Sequence, residues 1–443
     1  MLLRLLSLAL IAFTLNLMPA VTLAADWPHW RGPNYDGSSP EKNLPVKFSK
    51  DENVAWAIDL PGTGPSTPIV VGDRVFVSVI SDKNKALVLC FDRKTGKEQW
   101  RDELGDAPAG DNRSNLAGPS PAADGKHVIF FFGNGVLAGY DLDGKRQWLR
   151  NICEEYGDFS FMWTFSSSPT LHKGVVYLPV LQNKKPYRAV KFKPGTESFL
   201  LALDPATGKN IFRVLRPAEA KDESLEAFTT IIPYTHDGRE ELLVAGGDCL
   251  TGHDPKTGEE LWRWGTWNPT KIGHWRLVPS PAAGAGVVLG CAPKNAPVYA
   301  VKLGQKGDLS KNEDGLYWKS SDALVSSDVA TPLFAGGKFY VVNSDRKALA
   351  CVEPSGKVVW SVAKLPGKQK YEASPTGADG KIYVIDHGGE ASVLSMESGE
   401  VLHTTNLAVD GNKDNRPSIV VAGGQLFVKV HTKLYCFGKV NVN

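Results

Sequence analysis

The side chains best suited to chemistry lie in the short segments just before a recurring Ser/Thr-Pro step. An indole face can stack on a flat ligand, a guanidinium can pair with carboxylates, and carboxylate and amide oxygens can hold a hard cation such as calcium. The candidates are Trp163 and Trp275 for stacking, Arg276 and Arg416 for anion binding, Asn115 for binding through its amide, and Glu372 and Asp328 for calcium. These spacings predict a site assembled from several loops.

Other chemistries have weaker support. Ser166–Ser168 with His172 and Asp158 contains the residue types of a nucleophilic triad, but no Gly-x-Ser-x-Gly elbow accompanies them. The nine histidines are scattered and show no metal-ligand spacing. We therefore predict no catalytic residue from these patterns.

A repeated phrase indicates the elements that position these loops. It reads DRKTGKEQW from Asp92 to Trp100, DPKTGEELW from Asp254 to Trp262, and DPATGKNIF from Asp204 to Phe212, with shorter copies ending at Trp148 and Trp360. Each copy follows alternating apolar runs bounded by Gly and Asp, which are typical of β-strands and hairpins. Self-similarity at a period of about 40 to 50 residues is typical of a propeller or another repeat fold.

The repeats predict an all-β, eight-bladed β-propeller of four-stranded antiparallel blades. The eighth unit ends near Phe437 without a Trp strand, whereas the first is preceded by an orphan strand around Trp56. We expect this N-terminal strand to complete the last blade and close the ring, which removes the open sheet edges. The repeated Trp is expected to pack against the neighbouring blade. In the seventh unit, Leu402 is predicted to stand in its place.

The repeated D-x-x-T-G-x-x-x-W phrase resembles the tryptophan-docking motif of the pyrroloquinoline quinone (PQQ) propeller repeat. Quinoprotein alcohol dehydrogenases and the outer-membrane assembly lipoprotein BamB share that repeat. The resemblance covers about residues 50 to 438. It implies PQQ and calcium as cofactors, with Trp163 or Trp275 stacking on the quinone, Arg276 and Arg416 pairing with its carboxylates, and Glu372, Asp328 and Asn115 around the calcium.

The sequence departs from the dehydrogenases of this family. It has no adjacent Cys-Cys pair, no Cys-x-x-Cys-His haem site, and no long insertions that would build a substrate funnel. We expect an exported ligand-binding or protein-binding scaffold, with a protein, peptide or glycan partner on a propeller face. The alternatives are a PQQ- and calcium-dependent dehydrogenase of an alcohol or sugar, and a BamB-like assembly factor. The dehydrogenase reading requires Glu372, Asp328 and one of the two tryptophans to converge on one cavity.

The N-terminal segment predicts export. A basic start, an apolar run and small residues over 1–25 are typical of a signal peptide, with a retained anchor as the alternative. No Cys lies at the cleavage region for a lipid anchor, so we expect a periplasmic or secreted protein without a membrane span after cleavage. Residues 26–50 are expected to form an N-terminal strap and 51–440 the propeller.

Charge and cysteine content limit the partners. The net charge of +2 is spread along the chain, which disfavours nucleic acid as a partner. We expect the protein to be a monomer. Cys90, Cys351 and Cys436 occupy equivalent strand positions in separate repeats and are expected to be buried thiols. The pairing of the other three cysteines, Cys153, Cys249 and Cys291, stays open.

Overall fold

Eight antiparallel sheets, each of four principal strands, form a ring, which confirms the predicted propeller. The computed structural model describes residues 25–108, 110–111, 113–311, 315–409, 411–412 and 414–439. Apart from Ala25, the predicted signal peptide lies outside these residues. Inner strands such as Arg74–Ser81 and Lys85–Asp92 are buried along nearly their whole length, because neighbouring blades cover both faces. The outer strand Glu98–Asp106 alternates between exposed and covered residues.

The strands of the first four blades follow one another along the chain. Their bounds are Ile69–Val71, Arg74–Ser81, Lys85–Asp92 and Glu98–Asp106 in blade one; Ala122–Ala123, His127–Phe131, Val136–Asp141 and Arg146–Asn151 in blade two; Thr170–His172, Val175–Val180, Phe199–Leu203 and Asn210–Leu215 in blade three; and Ile232–His236, Arg239–Gly246, Cys249–His253 and Glu260–Trp264 in blade four. In each blade the first strand lies innermost and the last lies on the rim.

The second half of the ring repeats this order. The bounds are Ala282–Gly284, Val287–Cys291, Val298–Lys302 and Leu316–Lys319 in blade five; Leu333–Ala335, Lys338–Asn343, Ala348–Val352 and Val358–Val362 in blade six; Thr376–Ala378, Lys381–Ile385, Glu390–Ser395 and Val401–Asn406 in blade seven; and Val420–Ala422, Gln425–Val430, Lys433–Phe437 and Val54–Asp59 in blade eight. The N-terminal strand pairs with the last one, Trp56 lying opposite Cys436, so the predicted ring closure is confirmed.

A few short elements lie outside the blades. Strands Ser38–Ser39, Gly62–Thr63 and Gly307–Asp308 add to the edges of blades seven, one and four. The helical segments within the described ranges are the α-helix Ile152–Tyr156 and the 3-10 turns Asp222–Leu225 and Leu309–Lys311. In the described part of the chain, no helix has the length and apolar character needed to cross a membrane.

In five blades the indole at the Trp position of the outer strand donates to a carbonyl of the next blade. Trp262 donates instead to Glu241 of its own blade. The indole of Trp56 donates to the carbonyl of Arg93 at 2.8 Å, and its ring covers Gly96 in the turn of blade one. That glycine has a φ of +70°, and a Cβ there would lie 2.8 Å from the indole, so glycine is required for both reasons. In blade seven the strand register places His403 at this position, so the prediction of Leu402 was wrong by one residue.

A belt of buried hydroxyl groups links the first strands around the axis. Each blade begins with a Ser or Thr. In seven of the eight blades the main-chain N–H of this residue donates to the hydroxyl of the corresponding Ser or Thr in an adjacent blade, at 2.8 to 3.1 Å. The members are Thr67, Ser120, Ser168, Thr230, Ser280, Thr331, Ser374 and Ser418. The eighth bond, from the main-chain N–H of Ser374 to the hydroxyl of Ser418, is not formed, and the Ser418 hydroxyl has no partner among the described residues.

The strap fills the channel beneath this belt. Trp27 pairs with Val70 in blade one, and Pro28 accepts from Ala123 in blade two. The buried guanidinium of Arg31 donates to the carbonyls of Pro332 and Pro375, which open blades six and seven. The strap therefore bonds to blades on opposite sides of the axis and blocks the channel.

All six cysteines are buried and free. Cys90, Cys351 and Cys436 each lie opposite the Trp position of their own blade, so they occupy equivalent strand positions, as predicted. The remaining three are also thiols, which answers the question that the sequence left open.

Candidate functional site

An axial cavity of about 230 Å³ opens at the end of the ring where the first strands begin, which we call the cavity end. Hydroxyl-belt residues, including Thr67, Ser120 and Ser374, form part of its wall. Trp30 of the strap also lines the cavity, from the side on which the channel is blocked. The result is a closed-bottomed cup rather than an open pore.

The cavity brings together five of the seven residues that the sequence singled out. They are Trp163, Arg276, Asp328, Glu372 and Arg416. Asn115 lies instead in a neighbouring cavity of about 110 Å³, where its amide donates to the main chain and hydroxyl of Thr63. Trp275 lines neither of these two cavities; its main-chain N–H donates to the Ser224 hydroxyl at 2.7 Å.

Glu372 is the most strongly perturbed acid of the cavity. Its Oε2 lies 3.0 Å from Nε of Arg416 and 3.0 Å from Nε2 of His387. Burial alone would raise the pKa of Glu372, but His387 and Arg416 together outweigh it and lower the pKa to about 2. Arg416 also contacts Asp414 and the carbonyl of Arg113. Glu372 is therefore ionised at neutral pH, and its Oε2 already contacts the guanidinium of Arg416 and the imidazole of His387.

Trp163 is held between a cation and an acid. The guanidinium of Arg113 lies 4.2 Å from the centre of the Trp163 ring, within the range of a cation–π contact. The indole Nε1 donates to Glu223 at 3.2 Å, and the same carboxylate oxygen lies 3.4 Å from Arg276. Glu223 thus contacts two side chains of the cavity wall, the indole of Trp163 and the guanidinium of Arg276.

Sequence reasoning missed several lining residues. Trp30 lines the cavity from the non-repeated strap. Glu223, which contacts the lining residues Trp163 and Arg276, lies in an insertion that has no counterpart in the other blades. Asp111 accepts hydrogen bonds from the main chain of Thr164 and Ser114, so it joins the loops before blades two and three. Only the polar loop composition before each blade could have indicated Asp111.

The lining favours anions over metal ions. Four cationic and three acidic side chains face the cavity: Arg113, Arg276, Lys370 and Arg416, with Asp111, Asp328 and Glu372. Arg113 has no ion pair with a described residue, whereas the acid Glu372 is doubly paired. No group of three His, Cys, Asp or Glu side chains able to hold a metal ion occurs within the described ranges. The cup can therefore pair with carboxylates on a flat molecule that contacts Trp30 and Trp163.

Comparisons with known proteins agree with the fold. A polyvinylalcohol dehydrogenase of Pseudomonas sp is 29% identical over 169 residues, which are 36% of this chain and 24% of that protein. The chain thus spans about a quarter of the length of this curated relative. A europium-containing methanol dehydrogenase has a TM-score of 0.66 at 12% identity, covering 94% of this chain and 98% of that one.

Two further comparisons concern BamB. The BamB structure from Moraxella catarrhalis has a TM-score of 0.57 at 12% identity, over 87% of this chain and 99% of that one. The family model described as outer membrane protein assembly factor BamB matches residues 43–193 and 305–439, which is more than half of the chain. The chain therefore belongs to this family of PQQ-like propellers, which is related to the quinoprotein dehydrogenases and BamB.

Proposed function

We propose that the protein is a ligand-binding propeller whose axial cup takes a small, flat molecule bearing carboxylates. The observation that carries this proposal is the guanidinium of Arg113, which forms no ion pair with a described residue and stacks on Trp163 at 4.2 Å, at a cavity that Trp30 also lines. An anion entering the cup gains charge-assisted hydrogen bonds without first breaking an ion pair of Arg113. The aromatic rings supply contact area for a flat ligand.

The cup is poorly equipped for proton transfer. A general base works best when its pKa is near the working pH, whereas the pKa of Glu372 is about 2. Its Oε2 is engaged by both Arg416 and His387, so a bound alcohol would have to displace one of them to reach that oxygen. These contacts support binding as the primary role.

PQQ fits part of this site. Arg113, Arg276 and Lys370 would face its carboxylates, and Trp30 or Trp163 would contact its ring system. When bound, PQQ supplies an electron acceptor for alcohol oxidation. Calcium does not fit the same arrangement, because Glu372 is held by Arg416 and His387 and the cavity contains four cationic side chains. No step is therefore derived through calcium.

A dehydrogenase is the second candidate function. Trp163, Asp328 and Glu372 line one cavity, which is the convergence that this reading requires. The dehydrogenase names of the relatives also favour it, although the match spans only part of their length.

Calorimetric titration of the purified protein separates the two candidates. The probes are PQQ and benzene-1,3,5-tricarboxylate, each with and without calcium, followed by a dye-linked alcohol oxidation assay. We expect calcium-independent binding, no turnover, and weaker binding in Arg113→Gln. The matched control is Arg346→Gln, because Arg346 is exposed at the same end of the ring and does not line the cup.

Two outcomes would contradict the proposal. Flat traces with both carboxylate probes would remove the ligand site, and calcium-dependent PQQ binding with alcohol oxidation would establish the dehydrogenase.

We also propose that the protein is exported by the leader over residues 1–25. N-terminal sequencing of the mature protein tests this, and an uncut Met1 start would reject cleavage.

A further inference from the structure

A strongly basic loop projects from blade three. Residues 184–193, the basic loop, connect the strands Val175–Val180 and Phe199–Leu203 and contain four lysines and one arginine but no acidic residue. Three apolar side chains alternate with these cations and are exposed: Tyr187 by 42%, Val190 by 37% and Phe192 by 37%. Because the loop carries five positive charges and the whole chain only +2, the rest of the chain is net acidic.

Hydrogen bonds to Asp158 hold the loop in its projecting position. The Asp158 carboxylate accepts from the main-chain N–H of Lys191 and of Phe192, the latter at 2.8 Å. The Asp158 N–H donates to the carbonyl of Lys193 at 2.7 Å. At the start of the loop the Asn183 amide donates to the Tyr187 hydroxyl at 2.8 Å. The chain therefore fixes the backbone while its cationic and apolar side chains point away from the core.

Most of the positive charge is not neutralised locally. Arg188 lies 3.7 Å from Asp111, whereas Lys184, Lys185, Lys191 and Lys193 form no ion pair with a described residue. The Lys191 ammonium lies 5.0 Å from the centre of the Phe192 ring, so a cation and an apolar face are presented side by side.

The basic loop stands beside the cup. Arg188 contacts Asp111, which lines the cup, and donates to the carbonyl of Met162, next to Trp163. In each blade the link between the second and third strands lies at the cavity end, and the turn between the third and fourth strands lies at the other end. Any surface that binds the basic loop therefore approaches the cavity end.

We infer that the basic loop docks the protein on an anionic phospholipid surface, with the cavity end turned towards the membrane. Flexible lysines act as point charges that suit a diffuse negative surface, and juxtaposed apolar side chains can enter the headgroup region. An acidic protein or a nucleic acid would match the charge, but neither accounts for exposed Val190 and Phe192 beside the lysines. The net acidic remainder of the chain is repelled by the same surface, which orients the docked molecule.

Vesicle flotation tests the inference with the full mature chain and no axial ligand. The vesicles are equal parts phosphatidylglycerol and phosphatidylcholine, or phosphatidylcholine alone, at low and high salt. We expect binding only to the anionic vesicles, weakened by salt because the attraction is screened. Replacing Lys184, Lys185, Lys191 and Lys193 with Gln is expected to lower the partition coefficient more than about tenfold.

The control replaces the same number of lysines at the opposite end. The control lysines lie in exposed turns between third and fourth strands, and their change to Gln should leave partitioning within about twofold of wild type; they are Lys97, Lys145, Lys209 and Lys256.

A second variant, Val190→Ser with Phe192→Ser, keeps every charge and should reduce the binding that remains at high salt. Equal losses in the two lysine variants would overturn the inference, as would wild-type binding to polyaspartate or DNA without binding to anionic vesicles.

Discussion

Replacement of Lys429 with methionine should stabilise the protein most at acidic and neutral pH. Lys429 lies in the strand Gln425–Val430 of blade eight and is fully buried. Its Nζ donates to the Ser66 hydroxyl at 3.0 Å and approaches the Ser78 carbonyl at 3.5 Å, but it forms no ion pair with a described carboxylate. Burial lowers its pKa from 10.5 to about 7.

The direction of the pH dependence of stability follows from proton binding to Lys429. Between about pH 7 and 10.5 the unfolded chain holds a proton on this lysine that the folded chain does not, so wild-type stability rises with pH in that window. The lowered pKa corresponds to a penalty of about 5 kcal/mol below pH 7, which is relieved as the pH approaches 10.5. Methionine is similar in length and carries no charge, and the Ser66 hydroxyl keeps its own bond to the Ser78 carbonyl at 2.9 Å.

The assay is urea unfolding of wild type and Lys429→Met at several pH values from about 6 to 10. The advantage of the variant in free energy of unfolding should fall by about 4 kcal/mol across this range. Lys126→Met is the control, because Lys126 is exposed, and its difference from wild type should stay constant. A pH-independent difference for Lys429→Met would refute the reasoning, since it would mean that the buried amine keeps its ordinary pKa.

The remaining predictions concern the belt and the closing strand. Ser120→Ala should cost about 1 to 3 kcal/mol, because its hydroxyl accepts the buried N–H of Thr67, whereas Ser418→Ala should be nearly neutral. Equal losses in denaturant unfolding would contradict this difference. Trp56→Ala should cost about 3 to 5 kcal/mol, because Trp56 is only 8% exposed, and Leu402→Ala should change stability by less than about 0.5 kcal/mol. A small effect of Trp56→Ala on the melting temperature would show that the last blade does not need this contact.

Repeated features were predictable from the sequence, and non-repeated contacts were not. The blade count and the role of the strand around Trp56 follow from aligning similar units, since each unit must bury the same face. The error between Leu402 and His403 is one residue long and was avoidable. Gly399 lies four residues before His403, as Gly96 lies four residues before Trp100, so aligning the turn glycines places His403 correctly.

The site was predictable only in outline. Loops before the first strands necessarily meet at one end of the ring, so residues such as Arg276 and Glu372 could be grouped in advance. Trp275 is the immediate neighbour of Arg276 but does not line the cup. Trp30 reaches the cup only because the strap crosses the ring, and its neighbour Arg31 bonds to Pro375, 344 residues away in sequence. No local sequence pattern indicates a contact between residues so far apart in the chain.

The strap also sets an order of events in folding. It lies near the N-terminus, yet Arg31 needs the openings of blades six and seven, and the strand Val54–Asp59 needs Lys433–Phe437 near the other end of the chain. Such long-range closures are slow, because chain entropy must be lost before the contacts form. Trp30 can therefore take its place in the cup only after the last blades are formed. A molecule that requires Trp30 for binding would distinguish completed rings from chains that are still open.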